Sequence, residues 1–181
     1  MIEVRWHGRG GQGAVTSVEL LALAAISEGK YAQGFPSFGP ERRGAPVAAF
    51  NRIDDSRIRV RSGIYRPDVV VVLDESLIEL ANVLDGLKPD GMLIINTARN
   101  VAELRKAMNY AGRLATVDAT AIARQELGVP ISNTTMLGAL IQVLKMVSLD
   151  AAKEPVEHRF GRIAARNLQA MKRAYDEVVI H

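Results

Sequence analysis

The residues best suited to chemistry stand near the start of the chain, in "WHGRGGQGAVTSVELLALAA", residues 6–25. Gly8, Gly10 and Gly13 follow a G-x-G-x-x-G spacing, with Gly11 and Gln12 between the last two, and an apolar run from Val18 to Ile26 comes next. Glycine lets the backbone approach a ligand closely. A helix beginning at such a loop turns its unpaired N–H groups, and the positive end of its dipole, toward the same point. Three readings fit: the pyrophosphate of a dinucleotide, another anion, or a tight strand-to-helix turn whose glycines serve packing alone. A dinucleotide site also uses a carboxylate at the end of the second strand for the ribose hydroxyls. The residues there are Ala32, Gln33, Gly34, Phe35 and Pro36, with neither an acid nor an Arg for a 2′-phosphate, and this counts against the first reading.

Guanidinium groups grip phosphates with forked hydrogen bonds, so Arg9, Arg42 and Arg43 are the side chains that suit the same anion. Arg42 and Arg43 belong to "PSFGPERRGAP", residues 36–46, whose three prolines and two glycines forbid regular structure. Long irregular segments in compact folds tend to be functional. A salt bridge to Glu41 or to a partner's acidic surface is the competing use of this Arg pair. Phe35 and Phe38 suit either an interface anchor or packing onto their own fold.

Other chemistry is poorly supplied. The chain has no Cys, which excludes disulfides, a thiolate nucleophile and Cys-held zinc or iron–sulfur clusters within it. His7, His158 and His181 show no metal-ligand spacing, and no G-x-S-x-G elbow surrounds Ser17, Ser37 or Ser62. Neither a catalytic residue nor a metal ligand is expected.

The elements that must position the loop follow from hydrophobic periodicity. Ile2–His7 reads as a strand, Ala14–Ser27 as a helix apolar on most faces, and Lys30–Phe35 as a short strand. Val47–Ile53 and Arg57–Arg61 flank Asp54-Asp55-Ser56 and read as an antiparallel hairpin. "PDVVVVLD", residues 67–74, is a strand covered on both faces. A helix over Glu75–Leu84, a strand at Met92–Asn96, a helix from Val101 and a strand at Leu114–Val117 continue the rhythm. Helices close the chain: Ala119–Leu127, Asn133–Ser148 capped by Asn133, and Pro155–Val179. This pattern specifies one α/β domain over residues 1–181, a three-layer α/β/α fold with a mostly parallel, mixed sheet containing one antiparallel hairpin. Ligands of such folds gather at the carboxyl ends of the strands.

The 181 residues carry a formal charge of +3, unevenly spread: Lys and Arg outnumber acids by four over residues 1–66, whereas acids exceed them by three over 67–132. A basic first third suits an anionic ligand or partner. Nucleic acid is not expected, because aromatics are 5% of the chain and do not interleave with the basic positions. Glu19 interrupts the apolar run that follows Arg5 and Arg9, which argues against a secretory signal, and no run is long enough to span a bilayer. A cytoplasmic protein is expected.

Several segments together resemble a known family. "GRGGQGAVTSVELLALAAISEGKYAQGFPSFGPERRGAPVAAFNRID", "RPDVVVVLD", "LKPDGMLIINT" and "ISNTTMLGAL" are similar, in order and across nearly the full length, to the gamma subunit of 2-oxoacid:ferredoxin oxidoreductases. The pairing of "GGQG" with "FGPERRGAPV" about 25 residues later is the most specific part, and the pyruvate and 2-oxoisovalerate enzymes look closest. The resemblance implies an assembly of alpha, beta, gamma and delta-type subunits that converts a 2-oxoacid to an acyl-CoA and CO2 and passes electrons to ferredoxin. It also implies thiamine diphosphate, magnesium and iron–sulfur clusters in the partners. In agreement, Asp85-Gly86 and Asp90-Gly91 lack the leading glycine of a thiamine motif and read as turns. What remains for this chain is assembly and a share in coenzyme A binding, with Gly8, Arg9, Gly10, Gly11, Gln12, Gly13, Arg42 and Arg43 as candidate residues. The alternative is a stand-alone nucleotide- or dinucleotide-binding Rossmann-like enzyme.

Overall fold

Short runs rich in β-branched residues have nowhere to go but a sheet, since Val and Ile pack well on a pleated surface and poorly in a helix. The computed structural model describes residues 1–37 and 43–181. Its strands are β1 (Ile2–Arg9), β2 (Tyr31–Pro36), β3 (Pro46–Asp54), β4 (Val69–Val72), β5 (Met92–Asn96), β6 (Arg113–Val117) and β7 (Val179–Ile180), in one sheet of order β2-β3-β1-β4-β5-β6-β7. The central four, β1, β4, β5 and β6, are parallel. The pairs β1–β3, β2–β3 and β6–β7 are antiparallel.

The helices are α1 (Ala14–Ser27), α2 (Leu77–Leu80), α3 (Val101–Met108), α4 (Ala119–Leu127), α5 (Asn133–Leu144), α6 (Lys153–Phe160) and α7 (Ala164–Glu177). One sheet face is covered by α1, α5 and α7, with Val4, Trp6, Val71 and Ile94 packing against Leu21, Met136, Leu140 and Met171. The other face is covered over β4–β6 alone, where Val70, Val72, Leu93 and Ile95 meet Leu77 of α2 and Leu104 of α3. The expected three layers are present, the third of them over only half the sheet. β4 and β5 are buried at every position, as a strand sandwiched between two layers must be.

Local reading and structure part company in five places. The expected hairpin partner of β3, Arg57–Arg61, is not a strand; its Arg residues and Val60 are exposed, and β3 pairs instead with β2. Alternation of apolar and charged residues is no strand without a neighbour to bond, and β1 and β2 already occupy both edges of β3. The helix expected over Glu75–Leu84 shrinks to one turn, because Ala81 adopts an extended conformation. Asn133 is the first residue of α5 rather than its cap; its side chain turns to the carbonyl of Gly13. The same helix stops at Leu144, where Lys145 takes the left-handed conformation, short of Ser148. The last helix is broken at Gly161, with φ +51°, into α6 and α7, and the chain then adds the edge strand β7. No helix among the described residues is long and apolar enough to cross a membrane.

Candidate functional site

β1 ends at Arg9 and the chain turns through Gly10–Gly13 into α1. The turn lies where the connections from β1 and β4 leave in opposite directions, at the carboxyl ends of the parallel strands. Each glycine has its own reason. Gly8 faces Leu73 and Ala14, so a side chain there would crowd the helix against the sheet. Gly13 is left-handed at φ +81°, and an added Cβ would sit 2.5 Å from Nδ2 of Asn133, so it lets the starts of α1 and α5 touch. Ser17 completes that contact, donating to the carbonyl of Asn133 at 3.1 Å. Gly11, at φ +93°, faces open space.

The loop is held from below by a carboxylate. Asp74, just past β4, accepts from Gln12 Nε2 at 2.8 Å and from Arg9 Nε at 3.2 Å, and it also receives the N–H and hydroxyl of Ser76. Gln12 Oε1 in turn accepts the N–H of Arg9 at 2.7 Å, and the Arg9 guanidinium reaches the Gly44 carbonyl and the Ser76 hydroxyl. Burial alone would raise the Asp74 carboxyl; hydrogen bonds from Ser76 and Gln12 and the charge of Arg9 outweigh it and hold it below the usual carboxylate range. Arg9 and Gln12 therefore shape the loop and are committed inside the protein. The N–H groups of Gly11, Gly13 and Ala14 meet no acceptor among the described residues, whereas those of Gly10 and Gln12 bond to the carbonyls of Ala45 and Arg9. Arg43 is exposed and bridges to Gly10 through the backbone; Arg42 and Phe38 lie outside the described residues.

Beside the loop, the ends of β4, β5 and β6 open into a polar cleft of about 480 Å³ lined by Gln12, Asp74, Asn96, Asp118, Arg124 and Ser132 among others. Its floor is a hydrogen-bond net: Asn96 donates to the Leu73 carbonyl and to Thr120 and accepts the Thr120 N–H, while Asp118 caps α4. Sequence reasoning missed Asn96, Thr97 and Asp118 as a group, although one signal was available: a polar residue directly follows each apolar strand run. Among the described residues no group of three or more His, Asp or Glu stands close enough to hold a metal ion.

The dinucleotide reading loses its geometry here. In a dinucleotide fold the second strand lies beside the first and presents its acid to the ribose. In this chain the antiparallel β3 separates β2 from β1, so no second-strand carboxyl end adjoins the glycine loop.

His7, on β1 one residue before Gly8, accepts from Arg5 Nε at 3.0 Å. Burial first, and the Arg5 charge second, push its pKa down to about 4. Between pH 6.5 and 4 the unfolded chain binds a proton that the folded chain refuses. The stability is thus fully present above the ordinary His value of 6.5 and is lost as pH falls toward 4. We expect His7→Gln to flatten the pH dependence of the urea midpoint in that window, removing up to about 3 kcal/mol of it. An unchanged profile in the variant would mean that His7 titrates normally.

Comparison with known proteins extends these observations over the whole chain. The family described as "Pyruvate ferredoxin/flavodoxin oxidoreductase" matches residues 3–177. The "Pyruvate/ketoisovalerate oxidoreductases common subunit gamma" of Thermococcus kodakarensis is 50% identical over 183 residues, covering 100% of this chain and 99% of that one. The "Pyruvate synthase subunit PorC" of Methanothermobacter thermautotrophicus is 50% identical over 182 residues, covering 98% and 96%. The crystal structure of the pyruvate oxidoreductase subunit PORC of Thermotoga maritima superposes with a TM-score of 0.89 at 42% identity, over 99% and 97% of the two chains. With the dinucleotide geometry absent and sequence and fold agreeing end to end, the chain belongs to the pyruvate ferredoxin/flavodoxin oxidoreductase family.

Proposed function

We propose that this chain is the gamma-type subunit of a cytoplasmic 2-oxoacid:ferredoxin oxidoreductase acting on pyruvate or a related keto acid. The observation that carries the reading is the match over the full length, at about half identity, to subunits named gamma and PorC. In the assembly, thiamine diphosphate supplies the carbanion chemistry of decarboxylation, and it resides, with magnesium and the iron–sulfur clusters, in alpha, beta and delta-type partners. This chain contributes no catalytic residue: it has no Cys, and Ser17 is buried with its hydroxyl bonded to backbone carbonyls. It serves assembly, and it offers coenzyme A an anion cradle at the start of α1.

Support for the cradle comes from the N–H groups of Gly11, Gly13 and Ala14, at and just before the start of a 14-residue helix, which meet no acceptor among the described residues, and from Gly11, whose Cβ position is open space. A pyrophosphate oxygen is the acceptor such donors select. Gly10 and Gly11 form its lip, Gly8 and Gly13 set its depth, Arg9 and Gln12 fix its shape, and Arg43, which bridges to Gly10, supplies charge from the facing segment; the candidate Arg42 lies outside the described residues. The test is Gly11→Val in the reassembled enzyme. A side chain at φ +93° in open space costs about 1–2 kcal/mol of backbone strain but no packing. KM for coenzyme A should rise roughly 10-fold or more, as expected for losing one or two charge-assisted hydrogen bonds, with KM for the 2-oxoacid unchanged. A lower melting temperature with an unaltered coenzyme A KM would return the loop to a packing role.

A further inference from the structure

Among the described residues, half of one sheet face carries no helix. On the side opposite α1, register places Glu3, Arg5 and His7 of β1 across from Arg52, Phe50 and Ala48 of β3, with Phe35 of β2 beside Phe50. Since α2 and α3 cover β4–β6, the cover shown here by the described residues is backbone: Arg52 holds the carbonyls of Ser62 and Gly63, and Arg5 those of Val83 and Asp85. The rings of Phe35 and Phe50 lie 5.3 Å apart and remain partly exposed, with the Arg52 guanidinium 5.4 Å from the Phe35 centroid.

The segment that Arg52 anchors is strongly basic. Between Asp55 and Asp68 it carries Arg57, Arg59, Arg61 and Arg66 and no acid. All four are exposed, and among the described residues none takes part in a salt bridge. Tyr65, next to Arg66, is 77% exposed, while Ile64 is buried and ties the segment down. A run of like charges held in place, with no ion-pair partner among the described residues, is stabilised by a partner that brings carboxylates. Aromatic residues at the centre and Arg around them are the composition of a protein interface, and a guanidinium matches a carboxylate with two parallel bonds.

We propose that the partly exposed Phe35–Phe50 pair on the β2–β3–β1 face and the arginine segment 57–66 together dock a carboxylate-rich segment of another subunit of the oxidoreductase. This rests on the subunit reading above. The arginine segment is tethered through Arg52, which pairs with Glu3 near the amino end of β1, whereas the glycine loop follows Arg9 at the carboxyl end of that strand. A nucleic acid fits less well: Phe35 and Phe50 are tilted against each other, and Arg52 lies over the Phe35 ring, so neither presents a flat stacking platform.

The test is the triple reversal Arg57→Glu, Arg59→Glu and Arg61→Glu, set beside the wild-type chain in binding to the remaining subunits purified together from cells lacking it. Wild-type association should weaken with salt, and the variant should bind at least about 100-fold more weakly at low salt, as expected when several attractive pairs become repulsive. The melting temperature of the free chain should hardly change. Equal binding by the variant overturns the surface proposal and leaves the subunit reading standing. Failure of the wild-type chain to associate overturns both. If wild-type protein binds a 30-nucleotide single strand at physiological salt, and the reversal abolishes that while subunit binding persists, the surface serves nucleic acid and the proposal is wrong.

Discussion

Gly138→Ala should destabilise the chain by about 2–3 kcal/mol, lowering the melting temperature by roughly 5–10 °C for a protein of this size. The sign is the informative part. In an exposed helix interior the same change stabilises by about 1 kcal/mol, because alanine restricts the unfolded backbone and favours the helix. Gly138 lies in the middle of α5, and a Cβ there would overlap the backbone carbonyl of Met171 in α7. No side-chain rotation relieves a clash with backbone, so the two helices must separate. Separation loosens Met136, Leu137, Leu140, Ala170, Met171 and Ala174, all buried in the same cluster. A thermal melt of the purified variant decides it: an unchanged or raised melting temperature would show that α5 and α7 do not cross this closely. The start of α5 is what meets Gly13, so the packing of this helix also sets the shape of the glycine loop.

That coupling marks the limit of local reading. "PDVVVVLD" announced β4 because four consecutive Val residues between a Pro-Asp turn and a terminal acid admit little else, and α1 was legible from its apolar run. The antiparallel character of β3 was legible, but its partner was not. Whether β3 joins Arg57–Arg61 or β2 depends on which backbone edges are free, a property of the whole sheet. The glycine loop was recognisable from its spacing, yet its clamp was not. Gln12 and Arg9 meet Asp74 across more than sixty positions, and only the fold brings them together. Arg9 illustrates the consequence: from sequence it is a phosphate ligand, whereas in the structure its guanidinium is shared among Asp74, Ser76 and the Gly44 carbonyl. The N–H groups of Gly11, Gly13 and Ala14, without an acceptor among the described residues, are part of what that internal bonding leaves free.

The largest effect on activity should come from leaving the chain out. On the proposed division of labour, in which thiamine chemistry and the iron–sulfur clusters belong to the partner subunits, the purified chain with pyruvate and coenzyme A should be colourless and should reduce no viologen dye. The remaining subunits alone should be depressed in turn. If the chain positions coenzyme A and braces its neighbours as proposed, its absence misplaces the reacting groups, and small displacements cost about 100-fold in rate. Adding the wild-type chain in stoichiometric amount should restore turnover. The decisive measurement is therefore coenzyme A-dependent viologen reduction by the remaining subunits as this chain is titrated in. A rise of roughly 100-fold that saturates at one chain per assembled unit is the predicted result. Dye reduction by the chain alone, or full turnover by its partners without it, would contradict the account.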